Sequence, residues 1–448
     1  MFAIKHHLLF VEDEYLQPLD FHSSLNNDNE LISNLFELSY LKQNEKGFWA
    51  FQFVGVIVSN GTIICVLPKY YHNKLIHPED AFGDFIKIYK VLKSFGSEDS
   101  DIPDCQQMSN IESLNNSEIV LAEKFLKDYF EYGIFIKSKN HEIVMSDGDT
   151  NWTKTVDLMH PYFSRGAPFY NDKYSDTSIT EETNLITQTH KWILKYCSEK
   201  YGELLDFSYS VLFDCPSEIY SISSIQGIII AIDREMRETF IDWEIRLLKR
   251  MKLFLEKLFT YNENEYSIFG TGYFNQIWEK TCSTIFANQI QSFRDQIPFP
   301  LWNDLTGHSI MKETLKPDII ATYKGEFDAL FIFDAKYYNI ILKHNPRFDI
   351  LSNPGIEDIG KQFLYNKAFE KAPFVYKFNC FLFPNIQHPF FDIFGSIEFD
   401  LFQNQKIFNI YISANKVFDS YLQGGEIGVE NLMILAKTII ELQDNSAV

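Results

Sequence analysis

The sequence predicts an α/β chain: a C-terminal mixed sheet flanked by helices, preceded by a β-rich N-terminal part and a helical middle region. Three observations carry this. Residues 316–338, KPDIIATYKGEFDALFIFDAKYY, hold two apolar, β-branched and aromatic runs either side of the turn-prone Lys324-Gly325-Glu326, which is the pattern of a hairpin. Residues 51–67 repeat it as FQFVGVIV and TIICVL around an Asn-Gly turn. Residues 178–260 instead space their apolar side chains at helical intervals, with 185–201 and 224–260 the longest runs.

In chain order, the 51–67 hairpin ends at Pro68-Lys69-Tyr70-Tyr71 and an amphipathic helix follows near 79–95. Residues 94–118 are polar, with Gly, Pro, Ser and Asn, and read as a loop. A helix at 118–132 and a strand at 134–144 come next. Beyond the helical middle, 274–282 has apolar residues spaced for a helix with Glu279 beside the apolar stripe. Then come strands at 319–323 and 328–333, a helix at 355–369, strands at 378–383 and 406–413, and a closing helix at 429–442. A chain of 448 residues exceeds one ordinary core, so three parts are expected: 1–150, 151–265 and 266–448.

The chemistry concentrates at the C-terminal hairpin. Along a strand alternate side chains share a face, so Asp334 and Lys336 project to one side while Ala335 turns into apolar packing. Pairing of the hairpin brings Asp318 level with Asp334. Two oxygen ligands then converge with room for water and a substrate phosphate, the coordination Mg²⁺ prefers. The Ala335 carbonyl offers a further ligand, and the Lys336 ammonium stands where it can orient a nucleophile or stabilise charge on a phosphate. A plainer account also fits these residues: Asp-x-Lys after an apolar run marks a strand meeting solvent, and Pro-Asp opens a turn.

The order helix, strand, strand, helix, strand, with these polar groups in place, resembles the PD-(D/E)xK nuclease superfamily. The resemblance implies a metal site built from an acid on the first helix, here Glu279, with Asp318 of the PD pair, and Asp334 and Lys336 of the D-x-K pair. By spacing alone Glu279 reads equally as a surface charge. Gln362-x-x-Tyr365 looks like the glutamine motif that follows the lysine strand in RecB-like branches, one residue shorter than usual. By that resemblance Gln362 orients a phosphate or the lysine. The string FVGVI…LPKYY, then GDTNWTKT, then PD…DAKYY is similar to the LlaJI restriction endonuclease family, related to McrC, from about Phe48 to the last strand. Membership implies a subunit that cleaves foreign double-stranded DNA with Mg²⁺ or Mn²⁺. It also implies a separate McrB-like AAA+ GTPase as partner, on which the 1–150 part docks. Read on their own, Trp152 and Lys154 also suit a cross-strand pair and a solvated charge, and the 51–67 hairpin suits a simple folding element.

Composition narrows the classes. The formal charge of −21 is the wrong sign for holding DNA phosphates unaided. Residues 1–150 alone carry −11 of it, so a partner is expected to bring the chain to DNA. The most basic stretch, Arg234, Arg237, Arg246, Lys249, Arg250, Lys252 and Lys257, reads as a solvated helix face or as a strut facing DNA or a partner. Six scattered cysteines form no C-x-x-C pair, and no apolar run reaches the length of a membrane span, so a cytoplasmic protein without membrane contact is expected. No G-x-x-x-x-G-K-[ST] loop occurs, which leaves nucleotide hydrolysis to another chain. Two rival functions remain in view: a non-catalytic adaptor that stimulates an AAA+ GTPase, and an autonomous PD-(D/E)xK nuclease of the transposase or repair type.

Overall fold

A computed structural model of the chain describes residues 2–4, 7–25, 29–59, 62–72, 74, 76–98, 118–144, 149–181, 184–205, 207, 215, 217–260, 266–312, 316–344, 347–386, 389–403 and 405–445. The Asn60-Gly61 turn, residues 99–117 of the polar stretch and Gly148 of the GDTNWTKT segment lie outside them. The chain forms two compact units, one of residues 1–114 with 268–448 and one of 115–267. The N-terminal stretch thus shares its unit with the C-terminal one.

The reason lies in strand pairing that local pattern does not reveal. Strands β1 (Phe2–Ile4), β2 (His7–Val11), β3 (Val54–Ser59), β4 (Thr62–Leu67) and β5 (Tyr266–Thr271) make one sheet in the order β1-β2-β4-β3-β5. β3 and β4 are the expected hairpin, antiparallel from Gly55↔Val66 to Ser59↔Thr62, while β2 joins β4 in parallel. The hairpin starts later than the apolar run because Trp49–Phe51 pairs instead with Leu41–Gln43. β3 and β5 approach closely at two glycines with positive φ. A Cβ on Gly55 would lie 2.2 Å from the Phe269 carbonyl oxygen, and one on Gly270 would lie 2.3 Å from that of Val54. Helix α1 (Pro78–Glu98) is tied to the C-terminal part of the same unit: Lys87 pairs with Asp419 at 2.9 Å and Asp84 accepts from Asn415 at 2.7 Å.

The second sheet follows helix α2 (Phe274–Ile285). It comprises β6 (Ile319–Lys324), β7 (Asp328–Ala335), β8 (Tyr376–Asn385), β9 (Phe391–Glu398) and β10 (Lys406–Ser413), ordered β6-β7-β8-β10-β9, with helix α3 (Ile356–Ala368) between β7 and β8. β6 and β7 are antiparallel with Ile319 opposite Phe333, whereas β7, β8 and β10 run parallel. β7 is buried from Ala329 to its end, as a central strand covered on both faces must be. Ile320, Leu330 and Ile332 pack against Tyr365 of α3 and Phe369 just after it, while the Phe333 ring lies tilted against that of Phe286 beyond α2, 4.7 Å between ring centres. Each fully buried Phe or Ile in these layers contributes roughly 1.5–3 kcal/mol. That burial offsets the cost of holding charged groups at the sheet's edge. Sequence pattern missed β9, a half-exposed edge strand with a bulge between Ile393 and Gly395, and helix α4 (Ala414–Leu422) before the closing α5 (Val429–Asn445).

In the other unit, helices occupy Glu118–Tyr132, Leu185–Tyr201, Ile225–Glu238 and Asp242–Thr260, beside an antiparallel pair, Lys137–Val144 with Tyr174–Glu181. The single helix expected over 224–260 is two, broken where Thr239 turns extended. Its basic residues are partly neutralised within the unit, Arg250 by Asp128, Lys252 by Asp233 and Arg234 by Glu238. Trp152–Leu158 is a short helix, not half of a strand pair, because the Asn151 side chain accepts from the Lys154 N–H at 3.0 Å and caps it. Among the described residues no helix is long and apolar enough to cross a membrane.

Candidate active site

Asp318, Asp334 and Lys336 meet at the ends of β6 and β7. The register that sets Ile319 opposite Phe333 continues one step to Asp318 opposite Asp334, as the sequence predicts. Asn288 secures the start of β6: its side chain donates to the Asp318 carbonyl at 2.6 Å and accepts from the Ile320 N–H at 3.0 Å. The Asp318 carboxylate accepts from the Ala335 N–H at 3.0 Å, which clamps the two strand ends together. Lys336 continues the parallel pairing by donating its N–H to the Leu382 carbonyl at 2.9 Å. Its ammonium lies 3.1 Å from Asp334 and 2.8 Å from Asp358, and Tyr338 donates to the far oxygen of Asp358 at 3.3 Å.

These groups open into a cavity of about 490 Å³. Its walls include Glu279, Asp318, Asp334, Ala335, Lys336 and Asp358 from the second-sheet side, and Glu12, Asp13, Gln52 and Lys69 from the first sheet. The carboxylates repel one another. Burial, a hydrogen bond shared with Asp334, and the charges of Asp334 and Glu279 push Asp318 up to about 9, against the pull of the Ala335 N–H. Glu279 is exposed as a residue, yet its carboxyl end in the cavity is also raised, by desolvation and by Asp334. Burial alone would lower Lys336, but Asp334 and Asp358 outweigh it and hold the lysine well above its ordinary value, so it stays an ammonium.

The metal-ligating side chains on the cavity wall are all carboxylates, with neither histidine nor cysteine among the lining residues. Hard divalent cations such as Mg²⁺ suit them. Among the described residues no three His, Cys, Asp or Glu side chains form a ready-made cage. A cation there would be held by one or two carboxylates plus water and substrate oxygens. It would relieve the repulsion between the two carboxylates that raises Asp318.

Gln362 is elsewhere. It is fully buried in α3, and its amide donates to the main-chain carbonyls of Ile332 at 3.1 Å and Cys380 at 3.2 Å. It fastens α3 to β7 and β8 through the sheet backbone and is not among the residues lining the cavity. A helix packed on a sheet turns its inward polar residue onto strand carbonyls, because that is where the buried acceptors are. One turn earlier, Asp358 is the α3 residue that reaches the lysine. Sequence pattern sets it only at i, i+4 spacing from Gln362. Nor does that pattern single out Glu12-Asp13, although LLFVED ends an apolar run in carboxylates much as FIFDAK does.

A family profile described as LlaJI restriction endonuclease matches residues 53–415. The chain belongs to the LlaJI restriction endonuclease family. It is 32% identical over 409 residues, 88% of this chain and 85% of the relative, to a Bacillus subtilis (strain 168) protein named type II restriction enzyme BsuMI component YdjA. Among solved structures it is similar, at 12% identity and a TM-score of 0.35, to a chain of the Thermococcus gammatolerans assembly of McrB AAA+ hexamers with bound McrC, covering 93% of this chain and 99% of that one.

Proposed function

We propose that this LlaJI family member is the DNA-cleaving subunit of a restriction system, a metal-dependent endonuclease with a PD-(D/E)xK-type site that works with a separate AAA+ GTPase. The observation that carries the reading is the meeting of Asp318, Asp334 and Lys336 at paired strand ends over a cavity that also takes in Glu279. A Mg²⁺ or Mn²⁺ ion held by Asp318 and Asp334, with the Ala335 carbonyl and Glu279 directly or through water, would acidify water and offset charge building on the phosphate. Lys336 keeps a proton, and Asp358 with Asp334 steers its ammonium toward the reacting phosphate, where it orients the attacking water and stabilises the developing charge. The AAA+ partner is supported by the family resemblance and by the acidic balance of the chain, which favours delivery to DNA by another subunit.

The test is direct. Asp334→Ala and Lys336→Ala should each abolish DNA cutting by the assembled complex while leaving association with the AAA+ subunit unchanged in size-exclusion chromatography. Cutting that survives both substitutions refutes the assignment. GTPase stimulation by a wild-type chain that never cuts DNA in the assembled complex would favour the adaptor instead.

A further inference from the structure

The cavity that receives the scissile phosphate is strongly acidic. Six carboxylates line it, Glu12, Asp13, Glu279, Asp318, Asp334 and Asp358, against two lysines, Lys336 and Lys69. Lys336 is committed to Asp334 and Asp358. Lys69, from the LPKYY segment of the first sheet, is placed differently. Its nearest carboxylate is Asp13 at 3.8 Å, and Asp13 already takes hydrogen bonds from Lys42 and Gln52. The Lys69 ammonium lies 4.6 Å from the centre of the Tyr337 ring and 5.9 Å from that of Tyr338, the two residues that follow Lys336. Rings of this kind hold a cation in place without neutralising it.

The root of the side chain is as firmly set as its tip. The Lys69 N–H donates to the Tyr337 hydroxyl at 3.1 Å and to Glu12 at 3.3 Å, and the Tyr337 hydroxyl in turn donates to Glu12. Glu12 and Tyr337 are buried, as are Tyr70 and Tyr71 just beyond. The first sheet is thereby pinned to the continuation of β7, and the pin carries a cation into the cavity. Asp13 and the neighbouring Glu12 share its charge, yet the lysine still lines the cavity wall.

We propose that Lys69 binds a phosphate of the DNA backbone beside the scissile one, so that the first sheet completes the substrate site instead of serving only to dock a partner. This rests on the nuclease reading above. Lys69 acts on substrate placement, so its loss should appear in KM more than in kcat.

The test compares wild type, Lys69→Met and Lys69→Arg in the assembled complex, cutting a mixed-sequence DNA duplex across a salt series. Lys69→Met should raise KM roughly tenfold and lower the salt-dependence slope by about one, as expected for one lost phosphate contact. Its kcat should stay within about twofold, and Lys69→Arg should recover most of the loss. The shift in melting temperature that Mn²⁺ produces on the purified chain should be unchanged in both variants, since Lys69 is no metal ligand. An unaltered KM and slope in Lys69→Met overturns the inference. So does a Lys69→Met chain that has lost its Mn²⁺ response or melting temperature and is not rescued by arginine, because the lysine is then structural. Either result leaves the nuclease reading standing if Asp334→Ala and Lys336→Ala abolish cutting. Survival of cutting in those two sinks that reading whatever Lys69 does.

Discussion

Replacing Asp318 with Asn probes the centre of the site without any DNA. Asp318 holds its proton up to about 9, so the folded state binds one proton more than the unfolded chain from the ordinary carboxylate range upward. The corresponding stability is fully present below about pH 4 and is lost as pH rises through about 9. Within that window wild type should lose about 1.4 kcal/mol per pH unit relative to Asp318→Asn, whose amide mimics the protonated acid. For a unit of about 300 residues unfolding together, an entropy of about 2.1 cal/mol/K per residue makes this about 2 °C per pH unit. A saturating divalent cation reverses the order: at a hundredfold excess over Kd it adds about 2.7 kcal/mol, or about 4 °C, to wild type and little to the variant. Differential scanning fluorimetry from pH 6 to 9, with and without Mn²⁺, measures both effects. A melting difference that is flat with pH, together with equal Mn²⁺ shifts in the two proteins, refutes the reasoning that a cation belongs between Asp318 and Asp334.

Two further expectations follow from buried polar groups. Gln362→Ala strips a hydrogen-bond partner from two buried strand carbonyls, so it should cost about 2–4 kcal/mol in urea unfolding while leaving the Mn²⁺-induced melting shift intact; a loss of the metal response with full stability would return Gln362 to the site. His190 is buried with Nδ1 accepting from the Phe135 N–H at 3.0 Å, and burial lowers it to about 3, so its stability contribution is present above about pH 6.5 and is lost as pH falls toward 3. Between pH 7 and 5 wild type should lose about 2 kcal/mol more than His190→Asn in urea titrations, and parallel curves for the two proteins would refute the account.

The meeting of Asp318, Asp334 and Lys336 was legible in the sequence because it depends on short-range rules. Strand alternation puts Asp334 and Lys336 on one face, and a hairpin with a short turn has few registers that bury both apolar runs, so Asp318 opposite Asp334 follows from pattern. Helix α3 and strand β10 were likewise readable from periodicity. Glu279 could be placed on a helix but not in a cavity. Gln362 shows the limit from the other side. Its spacing came within one residue of a family motif, but whether an inward amide meets a substrate or a strand carbonyl depends on how the helix rolls on the sheet, and Asp358 took the position beside the lysine.

The sequence by itself determined which residues could do the chemistry: two carboxylates and a lysine locked to one strand pair by a period of two and a tight turn. Tertiary structure alone decided what surrounds them. Lys69 and Asp13 are hundreds of residues from Asp334 along the chain. They reach its cavity only because the first sheet closes onto the segment after β7 through the buried Glu12–Tyr337 contact. Contacts of that separation leave no periodic trace, since their geometry is set by how whole sheets pack and not by the spacing of neighbours.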